Sequence, residues 1–115
     1  MLARAHRLTE ASGFASAVRR GRRAGSRTLV AHLEPLAEGA PVRVGFVVSK
    51  AVGPAVVRNR VKRRLRHLAR EQLSDLEMRL PGSAVLVIRA LPASAGAGYE
   101  ELRADLARCL ERVAK

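Results

Sequence analysis

Apolar positions recur along this chain in distinct rhythms, and each rhythm predicts a different element. From Tyr99 to Val113 they fall at helical spacing, at Leu102, Leu106, Cys109, Leu110 and Val113, with polar residues between them. That predicts a closing amphipathic helix. Val57, Val61, Leu65 and Leu68 line a second helical stripe. Its helix should follow the break at Gly53-Pro54, hold the proline in its first turn, and run to Leu73 or beyond. A shorter helix is predicted from Glu10 to Arg20, with Phe14, Ala17 and Val18 on one face, Thr9 as its cap and Gly21 as its stop. Extended runs read differently. Thr28 to Leu33 and Val42 to Ser49 read as strands, and the Pro/Gly-containing stretch from Pro35 to Pro41 reads as the turn of an antiparallel hairpin between them. Ala84 to Arg89, after a break at Pro81-Gly82, is apolar enough for a strand buried on both faces, and Ala93 to Gly98 is a loop of small residues. The order helix, two or three strands, helix, strand, helix predicts one α+β domain over residues 1–115, with helices over a small sheet.

Charge narrows the function. The 115 residues include 22 Lys and Arg against 10 Asp and Glu, for a formal net charge of +12. Six of the nine residues from Arg58 to Arg66 are cations. On a helix, Arg58, Lys62 and Arg66 form a row beside the apolar stripe, Arg60 and Arg64 form a row on its other flank, and Arg63 and Arg70 point outward. Like charges at this spacing repel, so such a helix calls for a polyanionic counter-surface, and nucleic acid is the expected partner. Asn59 adds an amide that donates and accepts, and Ser49-Lys50 adds a hydroxyl and a point charge at the end of a strand. Phe14, Phe46 and Tyr99 are the whole aromatic complement and fit a core more readily than a base-stacking platform. Cys109, alone of its type, sits at core spacing.

Other chemistries find little support. His6, His32 and His67 lie on different predicted elements without metal-ligand spacing, the acidic residues are scattered, and Gly96-Ala97-Gly98 lacks the Lys-Ser/Thr of a phosphate loop. Neither a catalytic residue nor a protein-held metal is expected. No run approaches the roughly 18 to 20 apolar residues of a membrane span, and the first residues lack a signal-peptide core. The expectation is a cytoplasmic protein with no membrane partner. A ribosomal or other structural RNA-binding protein fits composition and basic helix equally well. A helix-based DNA-binding module would need a turn-linked helix or dimer seam that the pattern does not offer. A stand-alone nuclease would need a catalytic constellation.

The segment Val44-Gly45-Phe46-Val47-Val48-Ser49-Lys50-Ala51-Val52-Gly53-Pro54-Ala55-Val56-Val57-Arg58-Asn59-Arg60-Val61-Lys62-Arg63-Arg64-Leu65-Arg66 closely resembles the signature of the protein subunit of bacterial ribonuclease P. The resemblance extends more weakly to Arg7-Leu8, Phe14, Val18 and Gly21-Arg22-Arg23 near the start and to Tyr99-Glu100-Glu101-Leu102 in the last helix. It implies an α-β-β-β-α-β-α, ribosomal-protein-like domain with a small central sheet and a left-handed βαβ crossover, against the usual right-handed preference. It also implies a function. The family's protein binds the catalytic RNA of ribonuclease P and the 5′ leader of precursor tRNA, assisting removal of the leader by a reaction that belongs to the RNA and its Mg²⁺ ions, with no protein partner required. By position, Ser49, Lys50, Arg58, Asn59, Arg60, Lys62, Arg63 and Arg66 would contact the catalytic RNA, while Phe14, Val18, His32 and Arg89 would line the leader cleft. The chain departs from the family pattern at Pro54, where Asn is common, at His67, where Glu is frequent, and at Val18 and His32, where aromatics often stand. Arg89-Ala90 reverses the common order.

Overall fold

The strand that decides the topology is Ser83–Ala90, here β4, whose residues are buried from Ser83 to Ile88 and again at Ala90. A segment with two apolar faces is satisfied only in the middle of a sheet. In the computed structural model, which describes residues 4–36, 41–80 and 82–115, β4 lies centrally. Around it stand α1 (Ala11–Arg20), β1 (Arg22–Gly25), β2 (Leu29–Leu36), β3 (Arg43–Val47), α2 (Ala55–Arg79) and α3 (Tyr99–Val113). The four-stranded sheet has the order β1-β2-β4-β3, with β3 parallel to β4 and the other pairs antiparallel. Element order and class are those the resemblance implies, and α2 forms the crossover between the parallel strands.

The expected hairpin between Thr28–Leu33 and Val42–Ser49 does not form. β4 stands between the two strands, pairing Ala31 with Ile88 on one side and Phe46 with Ile88 on the other. The hairpin that does form joins β2 to β1, which the sequence pattern concealed because Arg22-Arg23-Ala24-Gly25 has no apolar alternation. Its turn is closed by the Ser26 N–H donating to the Leu29 carbonyl at 2.9 Å. β2 runs through Pro35, and its pairing with β1 goes no further than Leu33, opposite Arg22, so the proline sits where β2 is paired on one side and a missing N–H is tolerated. Residues 37–40 of the expected Pro35–Pro41 turn, Pro81 of the Pro81-Gly82 break and the N-terminal residues 1–3 lie outside the described residues.

Strand alternation divides the core into two layers. Leu29, Ala31, Leu33, Leu86 and Ile88 face α2 and α3, meeting Val61, Leu65, Leu68, Leu102, Leu106, Cys109 and Val113. Val85 and Val87 point the other way and pack under α1 with Leu8, Ala17 and Phe14. Cys109 is core, and burial pushes its thiol pKa up. Glu10, not Thr9, occupies the N-cap of α1, without a side-chain cap bond. Gly21 does end that helix, for a reason of space: a Cβ there would lie 2.4 Å from the Ala17 carbonyl oxygen and 2.9 Å from the Leu33 carbonyl. Among the described residues, no helix is long and apolar enough to cross a membrane.

Candidate nucleic-acid interface

The chain reaches the basic helix through a narrow corner. β3 ends at Val47, earlier than the Ser49 expected, and Ser49 begins a short 3-10 turn, Lys50–Val52, with Ser49 and Lys50 both exposed. Gly53 follows with φ of 152°, and a Cβ there would press on Val57 at 3.2 Å. Only glycine passes this point without strain. Pro54, with φ of −66°, stands at the N-cap rather than inside the first turn. The corner fixes the direction in which α2 leaves the sheet.

Along α2, Val61, Leu65 and Leu68 are fully buried and anchor the helix to the sheet. The cations divide into two sets. Arg63, Arg66 and Arg70 are exposed, as is the neutral Asn59, and Arg58 and Lys62 are half-buried beside the stripe. Among the described residues, no carboxylate forms an ion pair with any of these cations. Arg60 and Arg64 turn inward. Arg60 Nη2 donates to the Ala95 carbonyl at 2.9 Å and Arg64 Nη1 reaches the Ala97 carbonyl at 3.4 Å, so both tie α2 to the loop before α3.

A cleft of about 320 Å³ opens where α2, β3 and α1 meet, with Lys62 and Arg66 on one wall and Leu8, Phe14, Val44, Gly45 and Phe46 on the other. Gly45 makes room for the ring. A Cβ at that position would lie 2.4 Å from Phe14 Cε1 and Cζ. Arg7 and Thr9 complete the lining. The residue pattern gave no sign of this, because the N-terminal segment reaches the cleft by pairing with the free edge of β3. Arg7 bridges to Val44, the Leu8 N–H donates to the Val44 carbonyl at 2.9 Å, and His6 Nδ1 donates to the Val42 carbonyl at 2.8 Å.

The structure thus gathers Phe14, Lys62 and Arg66 in one cleft, but not His32 and Arg89. Those two lie on the same sheet face as Val87, where Arg89 Nε donates to His32 Nε2 at 3.0 Å. His32 is only 2 % exposed, so its ring offers no free face for stacking. Burial, with the neighbouring charges of Arg89 and Arg23, holds its pKa below the usual 6.5. Val18 is 40 % exposed on α1, one residue beyond the buried Ala17. Among the described residues no three His, Cys, Asp or Glu side chains come together as a metal site.

Comparison with known proteins gives this geometry its context. The family model described as Ribonuclease P matches residues 2–114. The ribonuclease P protein component of a Nocardioides species is 63 % identical, over 98 % of this chain and 95 % of that protein. That of Streptomyces bikiniensis is 53 % identical, over 98 % and 95 %. In fold, the chain is similar to the RNase P protein of Staphylococcus aureus, with a TM-score of 0.76 at 20 % identity over 97 % of this chain and 100 % of that one. The RNase P protein of Thermotoga maritima gives 0.74 at 21 %, over 93 % and 96 %. A match along nearly the whole length, on a chain whose central helix exposes a row of unpaired cations, settles the family: this chain belongs to the ribonuclease P protein components.

Proposed function

We propose that this chain serves ribonuclease P by holding two RNAs at once. The exposed cations of α2, with Ser49, Lys50 and Asn59 at its entrance, lie along phosphates and riboses of the catalytic RNA. The cleft beside them takes the single-stranded 5′ leader of precursor tRNA. The observation that carries this reading is the cleft itself, where an apolar wall built on Phe14 and Gly45 faces Lys62 and Arg66. An unpaired nucleotide has the same two sides, a base that gains from apolar contact and a phosphate that gains from cations. Duplex RNA buries its bases and has no use for such a wall.

The chain then acts as the accessory subunit of an endoribonuclease. Mg²⁺ held by the catalytic RNA would supply the activation of water and the stabilisation of the leaving oxygen. The protein binds, orients and neutralises charge. Leader contacts are made by precursor and not by mature tRNA, so they favour substrate over product.

A cross-linker tests the reading without disturbing the core. Val18→Cys provides an attachment point on an exposed face of α1, and the native Cys109, 1 % exposed, does not compete for the reagent. In the reconstituted holoenzyme the probe should capture leader nucleotides. Cross-links confined to the tRNA body, or to the catalytic RNA, would overturn the assignment.

A further inference from the structure

Beyond the cleft, α1 ends in Arg19 and Arg20, Gly21 turns the chain, and Arg23 stands on β1. All three arginines are exposed, and among the described residues none is in an ion pair, whereas Arg27, Arg79, Arg103 and Arg108 are. Two of them gain something from their position, since the negative end of the helix dipole at a C-terminus favours cations. Arg23 is not on the helix and gains nothing of the kind.

Their placement is set by the sheet. Arg23 is the register partner of His32, and His32 that of Val87, so Arg23 lies on the face that α1 covers. Its neighbour Arg22 points the other way and donates to the Val113 carbonyl at 3.2 Å. The strand order puts β1 and β3 at opposite edges. α1 starts over β3, with Phe14 on Gly45, and ends against β2, with Gly21 on Leu33. The helix therefore bridges the Phe14 cleft and the three arginines, and Arg89, beside His32, lies between them.

From this continuity we infer that Arg19, Arg20 and Arg23 form a second phosphate track, which takes the backbone of leader nucleotides farther from the cleavage site than those in the cleft. The inference rests on the leader occupying that cleft. The surface offers exposed guanidinium groups and no aromatic ring, so it reads charge and not base identity. The catalytic RNA is the less suitable occupant, because the unpaired cations of α2 serve it from the β3 side of the sheet.

The test is binding of precursor tRNA by the reconstituted holoenzyme carrying Arg19→Gln, Arg20→Gln and Arg23→Gln together, with a long leader, a short leader and none. For the long leader the affinity should fall, and the slope of log affinity against log salt should become shallower by about 2, from three phosphates at roughly 0.7 each. Short-leader and leaderless precursors, and the catalytic RNA alone, should bind as they do to wild type. Equal losses for all three precursors, or weaker binding of the catalytic RNA, would place the track against that RNA and overturn the inference. Unchanged long-leader affinity and slope, with wild type still preferring leader-bearing precursors, would remove the track alone. If wild type shows no such preference, the leader reading falls and takes the track with it.

Discussion

At the scale of single residues, the pair of His32 and Arg89 shows how burial changes a role. A guanidinium has donors and no acceptor, so His32 Nε2 must supply the lone pair and the ring proton must sit on Nδ1, which is buried without a partner. His32 is thereby a positioning residue for Arg89. His32→Ala should loosen Arg89 and reduce the preference for leader-bearing precursor, while His32→Gln, which keeps an acceptor, should recover much of it. Equal loss in both variants would deny the tether. Burial of the ring, with the nearby charges of Arg89 and Arg23, sets a pH dependence. The folded state favours neutral His32, so its contribution to stability is complete above the unfolded value of 6.5 and drains away as pH falls below it. Denaturant unfolding from about pH 7.5 down to 5 should show wild type losing stability relative to His32→Gln, and parallel profiles would refute the sign. Gly45 offers a steric counterpart. Gly45→Ala drives a methyl to 2.4 Å from the Phe14 ring, which should cost about 1 to 3 kcal/mol in unfolding free energy and displace the ring from the cleft wall.

At the scale of elements, what the sequence made legible was whatever depended on a single periodicity. The last helix runs from Tyr99 to Val113 as its spacing predicts, and Val61, Leu65 and Leu68 of α2 are buried as their stripe requires. Pairing partners were not legible, because a strand's pattern states how many faces are buried and not which strand lies beside it. The two-sided burial of β4 is legible in its apolar run, yet its consequence, insertion between β2 and β3, is not. On α2 the pattern placed every cation outside the stripe but could not tell a solvent-facing arginine from one turned onto a carbonyl. That difference should be measurable. Arg60→Ala removes the donor to the Ala95 carbonyl and should destabilise the fold by about 1 to 3 kcal/mol. Arg63→Ala, at an exposed position, should unfold within about 0.5 kcal/mol of wild type while weakening RNA binding with a salt slope shallower by about one phosphate contact. Identical thermal shifts in the two variants would show that Arg60 makes no such tie.

At the scale of the whole molecule, a net charge of +12 on 115 residues repels itself, and the acidic side chains relieve little of it where the cations are densest. α2 carries no carboxylate before Glu71, whereas α3 holds Glu100, Glu101, Asp105 and Glu111. There Glu101 pairs with Arg27 at 2.7 Å, and the buried Asp105 accepts from Thr28 at 2.6 Å. Two of these acids thus hold α3 to the β1–β2 hairpin, and the first half of α2 is left as a cationic face. Such a surface performs no chemistry of its own but changes the conditions under which two polyanions approach each other. Each phosphate it neutralises is one that divalent cations need not screen. The chain alone should therefore leave precursor tRNA intact at every Mg²⁺ concentration. Added to the catalytic RNA, it should lower the Mg²⁺ needed for half-maximal cleavage, and more so for a precursor with a leader than for one almost without. Cleavage by the protein alone would overturn the accessory role. An equal shift for both precursors would leave general charge neutralisation standing and remove the leader cleft from the mechanism.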